Sequence, residues 1–193
     1  MLAMLLLPSL AFGGTFPAAV MDEARGLSYL RERTNHNDAP EIDRMLDYVG
    51  LPHRLSWCLA YCVWCYHRAA DVSRIPNPLP KLARCSLFWQ RAKNNPVLFR
   101  VIRPSDVAWG ERLQPADVAI FSHNPTPGRD NWDGHAALVE RQVDAGTFRT
   151  WEGNTTPGPT GNQREGGGVY NRTRRAGGFS LHLEGFVRPR RAA

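Results

Sequence analysis

Four cysteines occur among the 193 residues, and three of them fall within one short segment. Their positions are Cys58, Cys62, Cys65 and Cys85. Disulfide-rich domains distribute their cysteines along the chain, so this clustering does not indicate a disulfide framework. Three roles therefore have to be compared: core residue, metal ligand and nucleophile.

Cys58 is the cysteine whose position favours chemistry. Residues 55–70 are apolar almost throughout, which predicts a helix buried in the middle of a domain, with Ser56 as its N-cap. Cys58 then lies in the first turn, where backbone N–H groups and the helix dipole lower the pKa of a thiol and can hold an oxyanion. Cys62 and Cys65 lie deeper along the helix, where a thiolate would be costly, and are predicted to be inert core residues.

A histidine and two hydrogen-bond acceptors complete a possible acyl-transfer site. His135 opens an apolar strand, from which its imidazole can point at the start of a packed helix. A turn near Ala145 folds the next strand back and brings residues 152–154 opposite the start of the His135 strand. Glu152 or Asn154 can then accept a hydrogen bond from the second imidazole nitrogen. This pattern predicts a cysteine nucleophile, a histidine base and an orienting side chain from three separate segments.

Two metal sites are alternatives to the thiol nucleophile. The spacing of Cys58, Cys62 and Cys65 matches the iron–sulfur motif of radical-SAM proteins, whose ligands lie in an open loop of a β/α barrel. Here the three residues lie in a helical apolar run, in a chain without βα repeats. A zinc site formed by Cys62, Cys65, His67 and Cys85 lacks the paired spacing of such sites. The favoured thiol chemistry needs no metal and no cofactor.

Helices precede strands along the chain. Hydrophobic periodicity predicts helices over residues 21–34, 40–49, 55–70 and 81–93. Asp38 and Glu41 are predicted to cap the second helix. About five short strands follow, over residues 117–121, 135–141, 147–152, 169–174 and 181–187. Because short turns separate them, they should pair as an antiparallel meander, which predicts an α+β domain with helices packed on a roughly five-stranded sheet.

Short motifs in this order resemble the CHAP family of amidohydrolases and peptidases, which belongs to the papain-related, NlpC/P60-like class. The motifs are Ser56-Trp57-Cys58, Pro115-Ala116-Asp117-Val118, Gly134-His135 and Trp151-Glu152-Gly153-Asn154. Residues 166–172 are similar to the penultimate strand of that family, and the resemblance covers residues 22–188. One departure is Ala116, where the family usually has glycine.

The resemblance implies a papain-like α+β fold and a cysteine-dependent peptidoglycan hydrolase without a cofactor. The family's nucleophile, base, acidic orienter and supporting amide fall, in that order, on Cys58, His135, Glu152 and Asn154. Three neighbouring tryptophans are expected to line a substrate groove: Trp57, Trp132 and Trp151. The bond cleaved stays open between an amidase and an endopeptidase. A non-catalytic cell-wall-binding module of the same fold is the alternative from another functional class.

The chain has a formal net charge of +6, and much of the excess is arginine near its end. A basic surface attracts polyanions, including acidic cell wall. No nucleic-acid-binding signature accompanies the charge, so a specific nucleic-acid partner is not expected. The arginines concerned are Arg172, Arg174, Arg175, Arg188, Arg190 and Arg191.

The length suits one catalytic domain over residues 22–193, preceded by an apolar segment over residues 1–21. The apolar run is too short to span a bilayer and resembles the core of a secretory signal, with Ala11-Phe12-Gly13 as a cleavage site. No Lys or Arg precedes Arg25, so a truncated signal and a buried apolar arm both stay open. The expected location is the periplasm, the cell envelope or outside the cell. A phage lysin, a wall-remodelling enzyme and an antibacterial toxin with an immunity protein all fit.

Overall fold

The computed structural model describes residues 14–123, 131–158, 166–176 and 181–190. Within these ranges the chain is α+β, as predicted, with five helices and one sheet of six strands. The helices are α1 (Phe16–Gly26), α2 (Pro40–Tyr48), α3 (Cys58–Ser73), α4 (Cys85–Lys93) and α5 (Pro104–Ala108). The strands are β1 (Phe99–Ile102), β2 (Val118–Ser122), β3 (Gly134–Gln142), β4 (Thr147–Thr155), β5 (Gly168–Arg175) and β6 (His182–Pro189).

The sheet is antiparallel and its strand order is β1-β6-β2-β3-β4-β5. Strands β2 to β5 form the predicted meander, but β6 returns to lie between β1 and β2. The five predicted strands are therefore confirmed and a sixth, β1, is added, whereas the expectation that the last strand continues the meander was wrong. Strand β1 spans only four residues, too few for a periodic pattern, and its partner β6 is distant in sequence.

Alternation of side chains along the strands divides the core into two clusters, one on each face of the sheet. Ile120, Ala136 and Leu138 belong to the cluster that the helices cover. Phe121 and Ala137, each one position away, belong to the cluster on the opposite face. Both faces of β2 and β3 are thus buried, as expected for the two central strands of the sheet.

Helix α3 is the buried helix that the sequence predicted. Leu59, Cys62 and Val63 are fully buried, and the helix packs against α1, α2, β3 and β4. Its start differs from the prediction, because the N-cap is Trp57 and Ser56 is exposed. Cys58 is consequently the first residue of the helix and still lies in its first turn.

Helix α1 begins five residues before the predicted helix over 21–34 and ends at Gly26. A proline in its first turn, Pro17, suits a helix start because its missing N–H would have no partner there. The predicted boundary at residue 22 therefore falls inside this helix. Val20 and Met21, which precede that boundary, are buried in the core. Residues 1–13, with the proposed cleavage site, lie outside the described residues. None of the helices in the described ranges is long and apolar enough to cross a membrane.

The prediction that Asp38 caps α2 was wrong. The N-cap is Ala39, whose side chain makes no capping hydrogen bond. The Asp38 carboxylate instead accepts hydrogen bonds from the backbone N–H and the hydroxyl of Thr34, both at 2.9 Å. Short polar side chains compete in this way between helix caps and local turns. Helix α4 likewise begins at Cys85, four residues after the predicted 81, and α5 was not predicted.

Several arginines of the basic C-terminal part serve as internal partners, so they do not form a free basic surface. Arg188 binds Asp117 in a bidentate pair, with its Nε and Nη2 at 2.7 and 2.8 Å from the two carboxylate oxygens. Arg172 is largely buried and donates to the carbonyl oxygens of Thr156 and Gly158. Arg175 and Arg190 are exposed, and Arg191 lies outside the described residues.

Strand β4 reaches the start of α3 because residue 153 is glycine. A Cβ on Gly153 would lie 2.6 Å from a ring carbon of Trp57 and 2.7 Å from the Cβ of Tyr61. Contacts this short do not occur between real side chains, so any larger residue would push strand and helix apart. The close contact between β4 and α3 therefore depends on Gly153.

We expect Gly153→Ala to lower the free energy of unfolding by about 1–3 kcal/mol, the usual cost of overpacking a core. Chemical denaturation measures the change. Gly26→Ala is the matched control, since a Cβ at the end of α1 meets nothing within 4 Å. This control should change stability by less than about 1 kcal/mol. Equal stability of the two variants would show that β4 and α3 do not meet at Gly153.

Candidate active site

The Cys58 thiol lies at the start of α3 against the beginning of β3. Its sulfur is 3.9 Å from the carbonyl oxygen of Gly134 and 4.0 Å from the sulfur of Cys85. A Cβ on Gly134 would lie 2.3 Å from the carbonyl oxygen of Phe121 and 2.5 Å from a ring carbon of Trp132. The glycine before His135 is thus required by the close packing around the thiol.

Strands β3 and β4 separate where the thiol lies. Their register runs from Gln142–Phe148 to Leu138–Trp151, so the first residues of β3 and the last of β4 lie beyond the paired part. On its other side β4 carries a bulge, since Glu152 pairs with Tyr170 but Thr155 pairs with Gly168. The extra residue bends β4 away from its regular course. The start of α3 contacts the sheet at this opening.

His135 and Glu152 form a hydrogen-bonded pair in the interior. The imidazole Nε2 lies 2.8 Å from the Glu152 Oε2, and the two side chains are 1% and 0% exposed. The imidazole and the Cys58 thiol also interact, and each shifts the pKa of the other. Because Nε2 faces the carboxylate, Nδ1 is the nitrogen left for the sulfur. The structure therefore brings together three of the four residues that the sequence selected for catalysis.

Two partners of Glu152 were missed by the sequence analysis. Arg174 donates from Nε to Oε1 at 2.8 Å, and its Nη2 donates to the other carboxylate oxygen. The Thr150 hydroxyl also donates to Oε1. The surplus of arginine on β5 was a signal, but the long connection between β4 and β5 hides which arginine reaches Glu152.

Burial and pairing together set the charges of these groups. Burial alone would raise the pKa of the Glu152 carboxyl, but Arg174 and His135 hold it well below its usual range. Burial alone would lower the pKa of His135, but hydrogen bonds to Cys58 and Glu152 raise it to about 9. The hydrogen bond with Cys85, and then the interaction with His135, hold the pKa of the Cys58 thiol well below its usual range. At neutral pH the lowered pKa of Cys58 and the raised pKa of His135 favour a thiolate beside an imidazolium.

Cys62 and Cys65 are fully buried, and burial raises the pKa of both thiols. Both lie in the hydrophobic core, as predicted, and their lack of reactivity stays a prediction. Because α3 is helical from Cys58 onward, the three sulfurs are spread over two turns and do not converge on one cluster. In the described part of the chain, no group of three or more His, Cys, Asp or Glu side chains could hold a metal ion.

Asn154 is buried and lies in the bulge of β4. Its φ is +54°, the left-handed region that asparagine tolerates better than most residues. Regular alternation does not hold through the bulge, so sharing a face with Glu152 no longer follows from their spacing. The supporting role of Asn154 stays a prediction.

The three tryptophans differ in what they contact. Trp57 is fully buried and donates from Nε1 to Glu32 at 3.0 Å, so its predicted place in a substrate groove was wrong. Trp151 is partly buried and donates from Nε1 to Glu140 at 3.1 Å. Trp132 is partly buried and packs beside Gly134, and its place in a substrate groove stays a prediction.

Ala116, where glycine was expected, has a φ of +71°. This left-handed conformation is costly for a residue with a Cβ and explains why glycine suits the position. The Ala116 N–H donates to Val139 O at 2.8 Å and its carbonyl accepts from the Tyr66 hydroxyl at 2.8 Å. The departure therefore affects the turn before β2 and leaves the Cys58–His135 pair intact.

No protein-family model and no curated protein matches this chain. The CHAP resemblance accordingly rests on the sequence motifs quoted above.

Alkylation by iodoacetamide tests the assignment of the thiolate. We expect Cys58 to be modified first, and at a pH below the ordinary pKa of cysteine, because it is the one cysteine of the four whose pKa is lowered. Cys62 and Cys65 should react only after unfolding. A time course of peptide mass spectra measures each site, and Cys58→Ala should lose the fast phase. Faster labelling of Cys62 or Cys65 in the folded protein would refute the assignment.

Proposed function

We propose that this protein is a cysteine hydrolase with a papain-like fold that cleaves amide bonds in the peptides of bacterial peptidoglycan. The observation that carries the proposal is the buried chain of contacts from Cys58 through His135 to Glu152, with Nε2 and Oε2 2.8 Å apart. A nucleophile, a base and an orienting carboxylate from separate segments are what acyl transfer requires. The helix start that meets an opening between two antiparallel strands also supports the papain-like assignment.

In the first step the Cys58 thiolate attacks the carbonyl carbon of the amide and forms a tetrahedral intermediate. The negative charge moves from sulfur to the carbonyl oxygen. Backbone N–H groups in the first turn of α3 have no intrahelical partner, and the N-cap residue Trp57 makes no side-chain capping hydrogen bond. They are suited to stabilise the oxyanion at the site of attack.

In the second step the intermediate collapses to a thioester and the C–N bond breaks. His135 donates its Nδ1 proton to the leaving amine, while Glu152 holds Nε2 and stabilises the charged ring before transfer. His135 is then neutral and takes a proton from water. The resulting hydroxide attacks the thioester, and the acid product leaves as the Cys58 thiolate and the imidazolium are restored.

The substrate class comes from the resemblance to the CHAP family. Two bonds are candidates: the one joining N-acetylmuramic acid to L-alanine, and one within the peptides. Such an activity acts in the periplasm, in the cell envelope or after secretion. It suits a phage lysin, a wall-remodelling enzyme or an antibacterial effector, and an effector would have an immunity protein as its partner.

Digestion of purified sacculi tests this proposal directly. We expect the wild-type protein to release fragments whose masses identify the bond cut, because the site provides both nucleophile and proton donor. Cys58→Ala removes the nucleophile and should release none, while its binding to sacculi by co-sedimentation should persist. Binding without release by the wild type would instead indicate a non-catalytic wall-binding module.

The two acceptors on β4 should differ in their effect on turnover. Glu152→Gln removes the charge that stabilises the imidazolium, and we expect kcat to fall by on the order of 10²-fold or more. Asn154→Ala removes no charge and should cost less. Turnover of a soluble peptide fragment of the wall measures both. A greater loss in Asn154→Ala would assign the main orienting role to the amide.

Glu152 also sets the pH dependence of the reaction. Its carboxylate raises the pKa of His135, so the imidazolium persists in the wild type up to about pH 9. In Glu152→Gln the ring should lose its proton at lower pH, and the basic limb of the pH–rate profile should move down. A basic limb that stays in place would show that His135 is not the titrating group.

A further inference from the structure

Cys85 is a second thiol at the site that neither the motifs nor the mechanism above uses. Its sulfur lies 4.0 Å from the sulfur of Cys58, although 27 residues separate the two cysteines. Cys58 is the first residue of α3, and Cys85 is the first residue of α4, so two helix starts present their thiols to each other. Both cysteines are 4% exposed.

We propose that Cys85 is a positioning residue, whose S–H donates to the Cys58 thiolate and holds the nucleophile ionised in the reaction. Its effect on turnover rests on the proposed function, whereas its effect on the thiolate does not. A buried anion requires hydrogen-bond donors. The Gly134 carbonyl, 3.9 Å from the Cys58 sulfur, can accept from a thiol but can give nothing to a thiolate.

Three donors are available to the Cys58 thiolate, and they come from two elements. On β3 they are the His135 imidazolium and the backbone N–H of Ala136. The third is the Cys85 thiol on α4. A thiol is a weak donor, but a bond to a charged acceptor in a buried site is stronger than one between neutral groups.

The proton remains on Cys85 because the imidazolium of His135 lowers the pKa of Cys58. Ionisation of Cys58 places a negative charge beside the imidazolium, whereas ionisation of Cys85 would place a second negative charge beside the first. The pKa of the Cys85 thiol is accordingly raised by its bond to Cys58 and by burial. The two thiols thus share one deprotonation, with Cys58 as the thiolate and Cys85 as the donor.

The rate of Cys58 alkylation as a function of pH tests this inference, read at the Cys58 peptide by mass spectrometry. Cys85→Ala removes the donor, and the midpoint of the profile should rise by about one pH unit, the effect of losing one hydrogen bond to a charge. Cys85→Ser keeps an O–H donor and should restore the midpoint to within about half of that shift. Cys85→Val, which fills the space without a donor, should behave as Cys85→Ala.

Cys65→Ala is the matched control, because it deletes a buried sulfur of α3 that does not contact Cys58, and its midpoint should equal that of the wild type. An unchanged midpoint in folded Cys85→Ala or Cys85→Val would overturn the inference. So would an equal rise in Cys85→Ser, since the thiol would then act only by its shape.

The alkylation measurement uses no cell-wall substrate and is therefore independent of the proposed function. A shifted midpoint in a protein that releases nothing from sacculi would support the role of Cys85 and reject the hydrolase. An unshifted midpoint in a protein that digests sacculi would reject the role of Cys85 and support the hydrolase. If the role of Cys85 and the hydrolase activity are both confirmed, the acidic limb of the pH–rate profile of Cys85→Ala should move to higher pH together with the alkylation midpoint.

Discussion

The Glu152 carboxylate has no contact with solvent, and the arrangement of the site depends on how its charge is balanced. An isolated carboxylate is very costly to bury, so it must be paired and hydrogen-bonded. Arg174 provides one positive charge, and the His135 imidazolium provides a second. The second cation is in turn balanced by the Cys58 thiolate. Charges of alternating sign thus run from α3 through β3 and β4 to β5, and each is stabilised by its neighbours.

This balance explains why the mobile proton belongs to the cysteine and the histidine. Arg174 already neutralises Glu152, so these four side chains together are neutral whether the proton lies on Cys58 or on His135. The carboxylate favours the proton on the imidazole, and the donors around the sulfur favour the thiolate. The fold therefore stabilises the reactive form of the pair without adding net charge to the interior.

Backbone irregularity makes room for these contacts. A regular β3–β4 ladder would fill the space where the start of α3 meets the sheet. The strands instead separate beyond Leu138–Trp151, and β4 bulges after Glu152. Glycines at 134 and 153 remove the side chains that would block the approach of Trp132 and Trp57. Glycine loses more conformational entropy on folding than any other residue. That loss is the cost of the close approach between helix and sheet.

Local patterns in the sequence predicted the parts of the site that local forces determine. The apolar run around Cys58 predicted a buried helix, and the turn near Ala145 predicted a hairpin that brings Glu152 to His135. Contacts set by distant segments were not predictable in this way. Cys85 meets Cys58 through the packing of α4, and Arg174 meets Glu152 through a register hidden by a long connection.

The protonation state of His135 tests the central claim most directly. Long-range ¹H–¹⁵N NMR spectra distinguish an imidazolium from either neutral tautomer, and His135→Gln identifies the signals among those of the six histidines. With a charged carboxylate on one side and a thiolate on the other, both ring nitrogens should carry protons at neutral pH and titrate with a pKa of about 9. A neutral His135 ring at pH 7 would contradict the account, because the buried carboxylate and the thiolate would then lack the cation that binds them together.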